Sequence, residues 1–222
     1  VAVDRKFRVS LWKFFAFGLS LSIGLYLLAT EDWFLRPSTY FHGWPNMPMS
    51  QGIKLYYKIA FGNYLYAALT MWFEPKQKDF SVMLAHHCIT LFLIYHSYVH
   101  GMHRVGAAIL LVHEVSDPWM EIAKCCLYTG FTKAADALFA TFAASFIISR
   151  TIVFPLGVVL PLWWTAVDAK GVRVPNGRSD LFNTLYVGLW ILQAFHVYWS
   201  MLIVDVAAKA LRTGNVNGDN RD

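Results

Sequence analysis

Residues 81–124 read SVMLAHHCITLFLIYHSYVHGMHRVGAAILLVHEVSDPWMEIAK, and the fold turns on this stretch. Two apolar runs are joined by a short His-rich turn, each run close to the ~20 residues that a bilayer crossing needs. Inside them sit His86, His87, His113, Glu114, Asp117 and Glu121. Ionisable groups are costly in lipid, so they normally line a pathway or a site within a bundle.

Composition agrees with a membrane setting. The 222 residues are 57% hydrophobic and only 15% charged, with a mean hydropathy of +0.42. A soluble domain carries about a quarter charged residues. Apolar stretches near 20 residues recur and strand-type alternation is absent, which predicts an all-α polytopic membrane protein rather than a β-barrel. Cys88, Cys125 and Cys126 lie in or beside apolar runs and read as reduced packing residues, not a disulfide framework. The net charge of +5 comes mostly from loop Lys and Arg, so it speaks to topology and not to nucleic acid.

Six transmembrane helices are expected, over 11–29, 53–73, 81–99, 104–125, 134–154 and 182–204. Residues 1–10 read as a cytosolic lead-in, 11–205 as one transmembrane domain and 206–222 as a cytosolic tail, disordered from Lys209. No signal peptide opens VAVDRKFRVS, and the missing initial Met points to upstream sequence. Between the first two spans, Trp33, Tyr40, Phe41 and Trp44 among three prolines resemble interfacial anchors. Tyr56, Tyr57, Tyr64 and Tyr66 space the second span as a packed helix. Pro155 and Pro161 predict a broken or re-entrant continuation of the fifth span.

With six spans, both ends share a side with Arg5, Lys6, Arg8, Lys76, Lys78, Lys124, Lys133, Lys209, Arg212 and Arg221. The opposite side holds Arg36, Lys54, Arg104, Lys170, Arg173 and Arg178. Ten against six puts both ends in the cytosol. His86 and His87 then lie roughly 9 Å below that surface at ~1.5 Å per residue. Asp117 returns to a similar depth on the next helix, with His113 one turn deeper. His113, Asp117 and Glu121 share one face at i, i+4 and i+8, with Glu114 at its edge. On the third span His87, Thr90, Ile94 and Ser97 form one stripe, with His86 rotated by about 100°.

An imidazole beside a carboxylate in a dry cavity can act as general base or nucleophile, and acyl transfer suits it best. A thioester is already activated, and an amine acceptor must lose a proton. Long-chain substrates would explain a site inside a membrane. The same residues could instead supply the ligands of a zinc site, although the expectation is no metal. His96, His100 and His103 near the turn, and His196 beside Gln193, read as helix–helix hydrogen-bonding residues.

The central stretch resembles the Lag1 motif of ceramide synthases in the TLC-domain family. The resemblance rests on Lys78 to Phe80, Met83, His86–His87, Thr90, Ser97–Tyr98, Arg104, Gly106, His113 to Asp117, Glu121 to Lys124 and Tyr128. KFRVSLWKF, RTIVFP (Arg150 to Pro155) and LQAFHVYW (Leu192 to Trp199) extend it over most of the chain. One departure is Glu114, where most members carry Asp.

The resemblance implies a TLC-domain helical bundle whose usual extra N-terminal span is absent here. It implies N-acylation of a sphingoid base by fatty acyl-CoA in the endoplasmic reticulum, with acyl-CoA as co-substrate and no other cofactor. His86, His87, His113 and Asp117 would be catalytic, with His87 favoured for the transfer itself. Glu114, Thr90, Ser97, Tyr98, Glu121, Arg150 and His196 would support them. Lys76 and Lys78 are candidates for the CoA phosphates, and Asp168 to Asp180 for acyl-length selectivity. Fatty acyl-CoA, a sphingoid base and membrane lipids are the implied partners, with a homo- or hetero-oligomer left open. The competing classes are a non-enzymatic lipid-binding or assembly subunit and a proton-coupled transporter, the latter disfavoured by the lack of an internal repeat.

Overall fold

The computed structural model of the chain describes residues 2–74, 77–166 and 180–213, and among these every regular element is helical. The segment 168–179, Lys76 and the tail beyond 213 lie outside the described residues. Four helical stretches are long and apolar enough to cross a membrane: Val3–Thr30, Phe80–Val99, Thr132–Thr165 and Asp180–Ala210.

Helix α1 (Ala2–Thr30) takes in the expected lead-in as well as the first span. α2 (Gln51–Thr70) starts where the Ser50 hydroxyl accepts from the Ile53 N–H at 3.3 Å, and its buried residues are Ile53, Tyr56, Tyr57 and Ala60. α3 (Phe80–Val99) turns back into α4 (His103–Glu114) through Gly101, at φ +71°. A Cβ at Gly101 would come within 2.8 Å of the Pro45 carbonyl oxygen, so both backbone conformation and crowding require glycine there.

α4 is the axis of the bundle. Nine of its 12 residues are buried, from His103 to Glu114, as expected for a helix surrounded by others. It packs on α1, α2, α3 and the segment around Phe154.

The fourth span is not one helix. α4 ends at Glu114, and α5 (Asp117–Tyr128) begins after Val115–Ser116. Pro118 has no N–H to give to the Glu114 carbonyl, so the ladder is interrupted there. The single face predicted for His113, Asp117 and Glu121 is therefore split between two helices.

The fifth span departs in the opposite sense. α6 (Thr132–Phe146) runs into a π-helical segment, Ile147–Val159, and then into α7 (Leu160–Thr165). In an α-helix the Pro155 ring would press on the carbonyl of Thr151. The wider π winding admits the ring, so the expected break becomes a change of winding within one helical rod.

α8 (Asp180–Thr213) packs against α3, α6 and the π segment, where the Ser200 and Thr151 hydroxyls meet at 2.7 Å. Its last turns keep residues 209–213 helical, contrary to the expected disorder, with Lys209 and Asp205 paired at 2.7 Å.

The connector between α1 and α2 also differs from expectation. Trp33, Phe34, Tyr40 and Phe41 are buried against the bundle rather than displayed as anchors. Arg104 holds the connector by donating to the Thr39 carbonyl at 3.1 Å and lying 5.8 Å over the Trp33 ring. Trp44 donates to the His100 carbonyl at 2.9 Å, and Phe41 meets Phe182 at the start of α8. These contacts gather the connector, the α3–α4 turn and the start of α8 at one end of the bundle. α1 begins and α8 finishes at the other.

Candidate active site

A cavity of about 370 Å³ lies towards the end of the bundle where α1 begins. Its wall includes His86, His87, Glu114, Asp117, Glu121 and Arg150, with Lys13, Tyr64, Lys124 and Trp199. Six of the residues singled out in the sequence thus reach one space.

α3 presents the His pair unequally. Its buried stripe is His86, Thr90, Ile94 and Ser97, so the predicted stripe through His87 is corrected by one residue. The reason is α8. Trp199 stands edge-on to His86 at 5.2 Å between ring centroids, and His196 lies 6.2 Å away. Trp199 is itself fixed by donating to Asp79, the residue before α3, at 3.0 Å. His87 is half-buried, lines the cavity and meets Tyr64 edge-on at 5.8 Å.

Asp117 does not sit against an imidazole. The π segment delivers Arg150, whose Nη2 donates both to the Asp117 carboxylate and to the His113 carbonyl. Ser116 donates to the same Asp117 oxygen at 3.2 Å. Arg150 is buried and lies 4.6 Å over the Phe146 ring, so the pair places two opposite charges in a dry wall of the cavity. Glu114 faces other partners. It accepts from the Ser20 hydroxyl at 2.5 Å and the Tyr56 hydroxyl at 2.6 Å, tying α1 and α2 to α4. Glu121, on α5, pairs with Lys124 at 3.1 Å.

His113, Thr90 and Ser97 line a different space, a narrow apolar chamber of about 60 Å³ deeper in the bundle. Ser97 meets the Tyr57 hydroxyl at 3.0 Å, and Tyr98 packs on the Tyr57 ring at 5.4 Å. Gly106 admits Tyr57 here, since a Cβ would overlap the phenol hydroxyl. Tyr64 borders both spaces. His196, fully buried, joins His86 on the cavity side to His113 on the chamber side. Among the described residues no group of three or more His, Cys, Asp or Glu is arranged to hold a metal ion.

Tyr64, on the aromatic stripe of α2, and Trp199, in LQAFHVYW, line the cavity although the sequence pattern assigns neither to a site. Ser20 carried no signal, because its partner Glu114 is 94 residues away.

Chemically, the arrangement offers two imidazoles at the edge of a mostly apolar cavity, with a neutralised Arg–Asp pair beside them. Such a site can take up a proton or attack an activated acyl group while excluding bulk water.

Comparison with known proteins identifies the family of the chain. The family described as TLC domain matches residues 6–205. Ceramide synthase LOH2 of Arabidopsis thaliana is 37% identical over 97% of this chain and 73% of its own length. ASC1-like protein 3 of Oryza sativa subsp. japonica is 35% identical, over 97% and 76%. Ceramide synthase 5 of Mus musculus is 35% identical, over 97% of this chain but 51% of its own length. With a buried polar site inside an all-helical membrane bundle and relatives of this kind across nearly its whole length, the chain belongs to the ceramide synthase group of the TLC-domain family.

Proposed function

We propose that this chain transfers a fatty acyl group from acyl-CoA to the primary amine of a sphingoid base, giving ceramide or dihydroceramide and free CoA. The observation that carries this reading is the convergence of His86, His87, Asp117 and Arg150 on one cavity of about 370 Å³. In the reaction the C–N bond forms as the thioester C–S bond breaks. The amine proton passes to an imidazole of the His pair and from there to the departing CoA thiolate. The same imidazole could first take the acyl group itself and then pass it to the amine. His87, bordering the cavity with less burial, is assigned the transfer, and His86 supports it from the α8 side. Asp117 compensates Arg150, and the pair keeps a fixed dipole beside the reacting groups.

The six-crossing topology, both ends in the cytosol, a site in the cytosolic half of the bilayer and residence in the endoplasmic reticulum belong to this proposal. The charge count supports the orientation: among the described residues, Arg5, Lys6, Arg8, Lys78, Lys124, Lys133, Lys209 and Arg212 lie towards the end of the bundle where α1 begins, against Arg36, Lys54 and Arg104 towards the other.

The test is ceramide formation by the purified chain in lipid nanodiscs, from sphinganine and a panel of acyl-CoAs. Wild type should give product, and His87→Ala should reduce turnover by at least about 100-fold, the scale of a lost general base. His86→Ala run alongside shows which imidazole acts. A folded, lipid-bound wild type that gives no product across the panel would instead support a lipid-binding or assembly subunit.

A further inference from the structure

His196 lies off both walls, yet its hydrogen bonding can be derived atom by atom. The Nδ1 of His113 stands 2.7 Å from the Ile109 carbonyl oxygen. A carbonyl only accepts, so that nitrogen carries the hydrogen, and in the neutral ring Nε2 is left with a lone pair. The Nε2 atoms of His113 and His196 face each other at 3.1 Å. Two lone pairs would repel, so His196 donates from Nε2 and keeps its own lone pair on Nδ1. The Ile109 carbonyl thus fixes the tautomer of two successive rings.

The second ring is also held sterically. His196 is fully buried, with Phe154 edge-on at 5.3 Å and Phe146 at 6.4 Å. On its free side stands His86, at 6.2 Å and an interplanar angle of 65°. The His86 ring is therefore confined between His196 and Trp199, both from α8. Its Nδ1 is buried without a protein partner, so packing and not a hydrogen bond holds this ring.

We propose that His196 is a positioning residue for the acyl-transfer step. Anchored through His113 to the Ile109 carbonyl, it forms a fixed wall that keeps the His86 imidazole in one orientation at the cavity. This rests on the acyltransferase reading given above.

A plain packing role and a positioning role rank two substitutions in opposite order. The side-chain amide of His196→Gln can take the place of the Nε2–H and still donate to His113. His196→Phe fills the volume without any donor and adds no polar atom to the core. If His196 only packs, Phe should serve as well as Gln or better. If it positions, His196→Gln should keep kcat within about threefold. His196→Phe should then lose about tenfold in kcat at unchanged KM for acyl-CoA, the size of one net hydrogen bond.

The second readout is independent of activity. Nitrogen NMR of the ¹⁵N-histidine-labelled full chain should give His113 as the Nδ1–H tautomer in wild type and in both variants, because the Ile109 carbonyl fixes it, and His196 as the Nε2–H tautomer in wild type. Ceramide formed by wild type together with full kcat in His196→Phe, or an Nε2–H tautomer at His113 in wild type, overturns the positioning role alone. Absence of ceramide from wild type overturns the acyltransferase reading and this role with it, whatever the tautomers show.

Discussion

Glu114 and Asp117 stand three residues apart, and both border the same cavity, yet their partners are of opposite kinds. Glu114 receives two neutral hydroxyls, one from α1 and one from α2. Asp117 receives a guanidinium from the π segment. The first acid joins helices, and losing it leaves unpaired hydroxyls. The second cancels a charge, and losing it leaves that charge uncompensated in a dry wall. The interruption at Pro118 makes the difference. It ends α4 at Glu114 and restarts the chain at Asp117, so two acids close in sequence point to different neighbours.

The largest expected effect follows from the ion pair. Asp117→Asn should cost about 3 kcal/mol of stability, the low end for removing one partner of a buried pair. Thermal unfolding of the detergent-purified protein measures it. Asp117→Asn combined with Arg150→Met should recover most of that loss, because no charge is then left behind. If the double variant is as unstable as the single one, Asp117 is also holding helices, and the contrast with Glu114 weakens.

Glu114→Ala comes next, at about 2 kcal/mol, since two buried hydroxyls lose their acceptor at once. Glu114→Asp should fall below it, at about 1 kcal/mol. The shorter side chain can keep one of its two partners but not both, as Ser20 and Tyr56 approach from different helices. Equal losses for Ala and Asp would mean that the extra methylene carries the whole tie.

The helical class and the positions of most elements were legible in the apolar runs, because their length is dictated by the bilayer itself. The interruption at Pro118 escaped the expectation of one helix over 104–125: Ser-Asp-Pro is a turn signal, but apolar residues on both sides mask it. The π winding was not legible either, since Pro155 announces a disturbance without saying whether the chain breaks, kinks or rewinds. The choice between His86 and His87 was undecidable locally. Stripes through 86, 90, 94 and 97 and through 87, 90, 94 and 97 both have helical spacing. Trp199 and His196 decide it, from a helix more than a hundred residues away. The partners of Glu114 and of Asp117 were hidden for the same reason: long-range pairing leaves no periodic trace.

The smallest effect is the sharpest test of what Glu114 does. Tyr56→Phe removes one hydroxyl and no other atom, so it should cost about 1 kcal/mol when Glu114 is present. Ser20→Ala should cost a similar amount. In the Glu114→Ala background the sign should change. The Tyr56 hydroxyl, fully buried with the rest of its side chain, has already lost its acceptor there, so deleting it should be neutral or slightly stabilising. Unfolding of the four proteins of that cycle gives the coupling directly. A coupling near zero would mean that the 2.6 Å contact contributes nothing beyond packing, and that Glu114 acts through the cavity rather than through α2.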